Sequence, residues 1–451
     1  MPDLKAIYNA FDADEPLPAD DNLRYVDLSK VRGDIEIPKR LALQVKNAPG
    51  NESYHLLMGH TKCGKTTELF RAAKLLEDDG YVTVFFDVAE FATRTFEYTT
   101  VLLLMAEQVA LQLAKRGIKV KGESIRKLLD FLREKEVTVG KELSGELMAK
   151  SEAELGSGLL AAFLGKLGFG VEMTGGFQRS REITTKIEAD TRGFVKAVRE
   201  LIADARDKVM EAAGKKGLVV VCDGCDKLAI TATDGNGKTH DLQQAFFVDH
   251  AHDLRSVPCH VIYTVPLSIA VNLTSMWEQS PAFVPAVPIS ALPGIVVGFA
   301  QDGRRALREA VDLRLRKEAT DVKSFFADPT LLDVLIDSSG GHLSDLLLMI
   351  RDAVLNAQTD ESARIEQNHI KLAISALARE HSRLVEREYL DTLVEVDRFK
   401  QRPSNSDLYR AIIARRLVLE YICGNDDRAD LHPLTAVSAA YRRHKEQLSR
   451  Q

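Results

Sequence analysis

Residues Gly59-His60-Thr61-Lys62-Cys63-Gly64-Lys65-Thr66 meet every constrained position of the phosphate-cradling pattern G-x-x-x-x-G-K-[ST]. Each residue type has a chemical reason. Gly59 and Gly64 let the backbone curl so that its N–H groups point inward at phosphate oxygens. A helix starting at Gly64-Lys65 adds the positive end of its dipole. Lys65 is placed to reach β- and γ-phosphates, and the Thr66 hydroxyl to hold Mg²⁺. His60, Thr61, Lys62, Cys63 and Thr67 complete the segment that would wrap a nucleotide. Cys63 would make that binding sensitive to thiol modification.

A second cluster is the run Leu218-Val219-Val220-Val221-Cys222-Asp223. An aspartate closing an apolar strand is where a P-loop protein keeps the acid for the Mg²⁺ shell, so Asp223 is the second metal candidate beside Thr66. Many such ATPases carry glutamate at the next position to orient the attacking water. Here that position is Gly224, which predicts slow or absent hydrolysis. Asp226 is the nearest substitute base, and Thr264 could feel the γ-phosphate through its hydroxyl. Cys222 and Cys225 form a lone C-x-x-C. With no second pair at matching spacing they read as small core residues, not metal ligands.

These groups need strands that end at them and helices that cover the strands. Strand signals fall at 55–58, 81–88, 218–222, 260–265 and 283–289. Amphipathic helical patterns at 101–116 and 191–213 lie among them. Such alternation predicts an α/β fold, a P-loop NTPase parallel sheet with helices on both faces. Strand signals stop after Pro293, and 301–380 read as helices. A turn, Ser338-Ser339-Gly340-Gly341-His342, precedes one of them at 344–357. Ser406 is placed to cap a helix over 407–417, followed by hairpin composition around Gly424-Asn425 and a closing helix over 433–444. That reads as a C-terminal winged helix. The expected domains are an N-terminal lead-in at 1–45, the P-loop core at 46–295, an α-helical lid at 296–380 and the winged helix at 381–451. An apolar, glycine-rich insertion interrupts the core at about 137–185.

Composition narrows the class. The 451 residues carry a net charge of −6, with 45% hydrophobic and 28% charged residues, which is ordinary for a globular protein. No apolar run reaches the ~18 residues that span a bilayer, and the N-terminus lacks an apolar signal core, so a cytoplasmic protein is expected. Five cysteines do not make a disulfide framework. The exception to the acidic balance is the tail. From Arg398 to Gln451 eleven Lys/Arg face six Asp/Glu, with Arg410, Arg415 and Arg416 close together.

The P-loop, the Val219–Asp226 stretch, the Gly340-Gly341-His342 turn and Leu431-His432-Pro433-Leu434 together resemble the AAA+/STAND class. These are signal-transduction ATPases in which a helical lid and winged helix close over ATP or ADP with Mg²⁺. In the family a winged-helix histidine faces the ADP β-phosphate. His432 resembles it, with Pro433 where an acid is usual. Ser344 stands where many relatives place a phosphate-sensing arginine, and Arg351 is a weaker substitute. The resemblance implies a nucleotide switch controlling oligomerisation or a separately encoded partner protein, in a bacterial anti-phage setting. The alternative is a DNA-binding ATPase using the basic C-terminal region. It weighs less, because winged helices of this class bind protein and nucleotide.

Overall fold

The computed structural model describes residues 3–91, 96–135, 187, 190–211, 213–233, 237–273, 276–290, 292–293, 297–403, 406–423 and 426–450. The expected insertion at 137–185 and the hairpin turn Gly424-Asn425 lie outside them. The main sheet has five strands in the order β2-β3-β6-β1-β7. These are β1 (Ser53–Gly59), β2 (Val82–Asp87), β3 (Leu218–Asp223), β6 (His260–Pro266) and β7 (Ala282–Val284). Two short strands, β4 (Thr231–Thr233) and β5 (Thr239–Asp241), pair separately. The β2–β3 and β3–β6 pairs are parallel, with Asp87 level with Asp223. Every residue of β3 and of β6 is buried. That explains their nearly unbroken apolar sequences, since a strand covered on both faces has no polar side to alternate.

The chain divides into two compact units. One contains residues 41–57 and 72–282, and so most of the sheet. In this unit the helices Tyr98–Lys115 and Thr191–Glu211 pack on β3. The second of these buries Phe194, Ala197, Val198, Leu201, Ile202, Ala205 and Val209, a stripe at helical spacing.

The other unit contains residues 1–40, 58–71 and 283–451. Its helices include α1 (Leu4–Ala10), α2 (Lys65–Asp78, which begins here), α3 (Val297–Lys317), α4 (Leu331–Ser339), α5 (Leu343–Thr359), α6 (Gln367–Leu384), α7 (Ser406–Ala414), α8 (Pro433–Ala436) and α9 (Ala439–Leu448). Ile7 and Phe11 join a core with Leu307, Leu335, Leu346 and Ile350, so the N-terminal segment is part of the helical region's interior. Strands β8 (Val418–Cys423) and β9 (Asp426–Leu431) form an antiparallel hairpin between α7 and α8.

Three sequence expectations change. The strand at 283–289 is only Ala282–Val284. Pro285 and Pro288 have no N–H to give a ladder, and the amides of Ala286 and Val287 donate to Glu420 O and Gly341 O instead. The helix over 407–417 ends at Ala414. Arg416 then takes a left-handed conformation (φ 56°) into β8. The closing helix over 433–444 is two helices, because Ser438 leaves helical geometry and caps α9 by accepting from Tyr441 N.

Candidate functional site

The P-loop joins β1 to α2. Lys62 (φ 64°) and Gly64 (φ 101°) are left-handed, which turns the loop back on itself. A Cβ on Gly59 would sit 2.7 Å from both Cys63 Sγ and Val284 O, so only glycine fits there. The Lys65 ammonium is buried in the loop, donating to Gly59 O (3.2 Å) and His60 O (2.8 Å). Its Nζ lies 4.0 Å from Cys63 Sγ. Arg32 braces the loop by donating to Cys63 O (3.1 Å), and Lys62 pairs with Asp14 (2.5 Å). The Thr67 hydroxyl accepts from Leu17 N (3.1 Å). A curled backbone, a lysine folded into it and a helix N-terminus are the donor set a phosphate chain requires, and the loop fits that group.

Above this loop, within the same unit, lies a buried polar cluster that the sequence did not reveal. The backbone N–H of Glu420 in β8 donates to His60 Nε2 (2.8 Å). His342, N-cap of α5, contacts Thr61 O through Nε2 (3.1 Å). A carbonyl only accepts, so Nε2 of His342 carries the proton. Arg416 Nη1 donates both to Asp345 Oδ1 (2.7 Å) and to His342 Nδ1 (3.2 Å). The Nδ1 lone pair lies 3.1 Å from Asp345 Oδ2, an unfavourable approach that the guanidinium beside both offsets.

His432 is fully buried. Its Nδ1 accepts from Leu434 N (3.1 Å), so its proton sits on Nε2, 3.1 Å from Asp345 Oδ2. Its ring packs on His381 at 4.4 Å between centroids. Burial lowers the affinity of His60, His342, His432 and His381 for a second proton, His381 down to about 3. Burial alone would raise Asp345, but the Arg416 guanidinium and the hydrogen bond from His432 outweigh it and hold the carboxyl well below its usual range. One carboxylate and one guanidinium among neutral imidazoles give a charge-balanced interior.

Asp345, His381 and His432 approach closely enough to suggest a metal site. The hydrogen bonds argue otherwise. His432 Nδ1 is committed to the Leu434 amide, so Nε2 keeps its proton and has no lone pair for an ion. Asp345 is already neutralised by Arg416.

Asp223, Asp226 and Thr264 lie in the sheet-bearing unit. Asp223 is buried at the end of β3, and its Oδ1 accepts from Gly224 N (2.8 Å). Asp226 follows, half-buried, and Thr264 is fully buried in β6. The Thr264 hydroxyl has no hydrogen-bond partner among the described residues. Cys222 Sγ and Cys225 Sγ are 3.9 Å apart and buried. Gly224 (φ 78°) is explained by a neighbour that sequence reasoning missed. A Cβ there would come within 1.9 Å of Asp87 Oδ1. Asp87 closes β2 level with Asp223 and pairs with Lys227 (2.7 Å). The available signal was an acid ending the second strand of the alternating pattern. Arg351, the possible phosphate sensor, instead pairs with Asp12 (3.2 Å) and stacks over Tyr8.

No protein-family model matches the sequence, and no curated protein matches it. Solved structures are similar in the course of the chain. A Walker-type ATPase of Pyrococcus abyssi aligns at 13% identity over 96% of this chain and 99% of that one, with a TM-score of 0.43. The ORC1 protein of Aeropyrum pernix, solved in complex with DNA, aligns at 11% identity over 98% and 97%, with a TM-score of 0.41. Cdc6p of Pyrobaculum aerophilum aligns at 13% identity over 94% and 99%, with a TM-score of 0.36. A likeness at these values carries no family, ligand or activity over to this chain. Among the described residues no helix is long and apolar enough to cross a membrane.

Proposed function

We propose that this chain is an ATP-binding switch of the AAA+ P-loop class, with ADP holding the alternative state. The observation that carries this reading is the P-loop itself. A left-handed turn at Lys62 and Gly64 and the buried Lys65 ammonium meet at the first turn of α2. Lys65 exchanges its carbonyl partners for phosphate oxygens when nucleotide enters. The loop amides supply further donors. Thr66 and Asp223 take the Mg²⁺ roles that their positions in the sequence pattern give them. The metal, when bound, neutralises charge on the phosphates.

Turnover is slow or absent. Gly224 offers no side chain to orient water, and the space that a glutamate side chain would need at this position is taken by Asp87. Asp226, Thr264 and Asp87 are the residues left for that task. The output is a change of assembly or of partner engagement, in the manner of the STAND ATPases that the motifs resemble, with anti-phage defence as the setting that resemblance implies.

The alternative, a DNA-binding ATPase working through the basic tail, draws less support from the side chains. Arg402 pairs with Glu420, Lys400 with Asp430, Arg415 with Glu386, Arg416 with Asp345 and Lys445 with Asp397. Much of the positive charge is thus used internally.

The test is to release whatever nucleotide the purified protein carries, identify it by chromatography, and then titrate ATP and ADP into the emptied protein. Binding of either with Mg²⁺ dependence is expected. No binding of either nucleotide up to millimolar concentration would end this reading.

A further inference from the structure

We infer that His60 and His342 are positioning residues that latch the P-loop to the lid turn and to the C-terminal hairpin, so that the state of the loop sets the freedom of β8–β9. The inference rests on the nucleotide reading above and names its regulation.

The two contacts run in opposite senses. His342 gives a hydrogen bond from the lid turn to the backbone of the loop, at Thr61 O (3.1 Å). His60 accepts one from the hairpin, at the Glu420 amide (2.8 Å). Adjacent residues of one loop therefore grip two elements more than 280 positions away in the chain. Both gripping elements are fixed behind the contact. His342 is held by Arg416, Arg416 by Asp345, and Asp345 by His432 at the far end of the hairpin. The Glu420 side chain is clamped by Arg402 (2.9 and 2.7 Å) and Tyr409 (2.7 Å), and its carbonyl accepts from Ala286 N (3.0 Å). Gly341 packs so closely on Val287 O that a Cβ would stand 1.7 Å away. The turn cannot drift to follow a moving loop.

The proton positions set a cost on this arrangement. With the hairpin seated, the Glu420 amide occupies His60 Nε2, so the ring proton is on Nδ1, a buried atom with no partner among the described residues. That orphan donor is a standing cost of the latched state. Lys65 donates to His60 O in the same arrangement. When Lys65 turns to a phosphate, the carbonyl at His60 loses its cation. The loop then has one fewer reason to keep the conformation that presents Thr61 O and the His60 ring. Nucleotide affinity and hairpin seating are then coupled, and by linkage each changes the other by the same factor.

The experiment is hydrogen–deuterium exchange at residues 416–434 in the full chain, empty and saturated with ADP or with ATP and Mg²⁺. It is repeated in His60→Phe, which keeps a ring but removes the Glu420 contact, and in His342→Phe, which removes the Thr61 contact together with that of Arg416. In the wild type, ATP is expected to speed exchange of the Glu420 amide at least tenfold relative to the empty chain. In His60→Phe that amide exchanges fast in all states, and ATP affinity shifts by the lost coupling, on the order of 5- to 150-fold. If either variant fails to fold, the wild-type comparison decides alone. Saturating ATP with unchanged exchange at 416–434 overturns the latch and leaves the nucleotide reading standing. Absence of nucleotide binding defeats the nucleotide reading instead.

Discussion

Asp345→Asn is the perturbation whose cost the structure specifies best. The carboxylate is fully buried and accepts from Arg416 (2.7 Å) and His432 Nε2 (3.1 Å). Asparagine keeps the volume and one acceptor, which can still serve Arg416, but it removes the charge. Its amide N–H₂, standing where Oδ2 lies 3.1 Å from both rings, can give one hydrogen to His342 Nδ1 but sets the other against the His432 Nε2 proton. His432 cannot shift that proton to Nδ1, because Nδ1 meets the Leu434 N–H. Breaking a buried ion pair costs ~3–5 kcal/mol. The Arg416 side chain is 19% exposed, so water recovers part of its solvation and the lower end applies. We expect a loss of ~3 kcal/mol, on the order of 10 °C in melting temperature. Arg416→Gln alone should cost a similar amount. The double variant should cost at least ~1.5 kcal/mol less than the sum, the signature of directly coupled groups. Differential scanning calorimetry of the four proteins measures this. A shift under ~0.5 kcal/mol for Asp345→Asn, or strict additivity, would refute the reasoning.

Gly224→Glu should not restore hydrolysis. With φ at 78° and Asp87 Oδ1 only 1.9 Å from the new Cβ, it should destabilise by more than ~2 kcal/mol. Raised turnover at an unchanged melting temperature would show that the site tolerates it. Burial pushes His260 down to about 4 and His381 to about 3. Below pH ~6.5 the unfolded chain therefore binds protons that the folded chain refuses. Stability is full above that pH and falls as pH drops toward 4, by at most ~1.4 kcal/mol per unit for each ring. A melting temperature flat from pH 7 to 4.5 would contradict this. Arg442→Glu with Arg443→Glu, both exposed, should leave the fold intact within ~0.5 kcal/mol. Arg416→Glu should unfold the C-terminal region by setting a second carboxylate against Asp345, as circular dichroism would report.

The local patterns were legible. The P-loop, the strand ending at Asp223 and the Gly340-Gly341 turn could be read because glycine at positive φ and apolar runs before an acid leave marks in a few consecutive residues. What could not be read was every partnership set by tertiary approach. Gly224 looked like a missing glutamate, and Asp87, the reason for the glycine, lies far back in the chain. The hydrogen bonds of His432 were equally hidden, one capping α8 and one at Asp345. Arg415 and Arg416 count toward the basic tail in the sequence, and their pairing with Glu386 and Asp345 is invisible to spacing rules. The break in the strand at 283–289 is itself legible, because Pro285 and Pro288 cannot donate to a ladder.

The most direct test of the central claim is calorimetric titration of ATP with Mg²⁺ into the nucleotide-free wild type and into Lys65→Ala. The Lys65 ammonium lies inside the loop on Gly59 O and His60 O, where a phosphate chain would take it over. The account predicts saturable one-site binding to the wild type, and none to Lys65→Ala at the same concentrations, with the variant's melting temperature retained. Equal ATP affinity in the two proteins would contradict it.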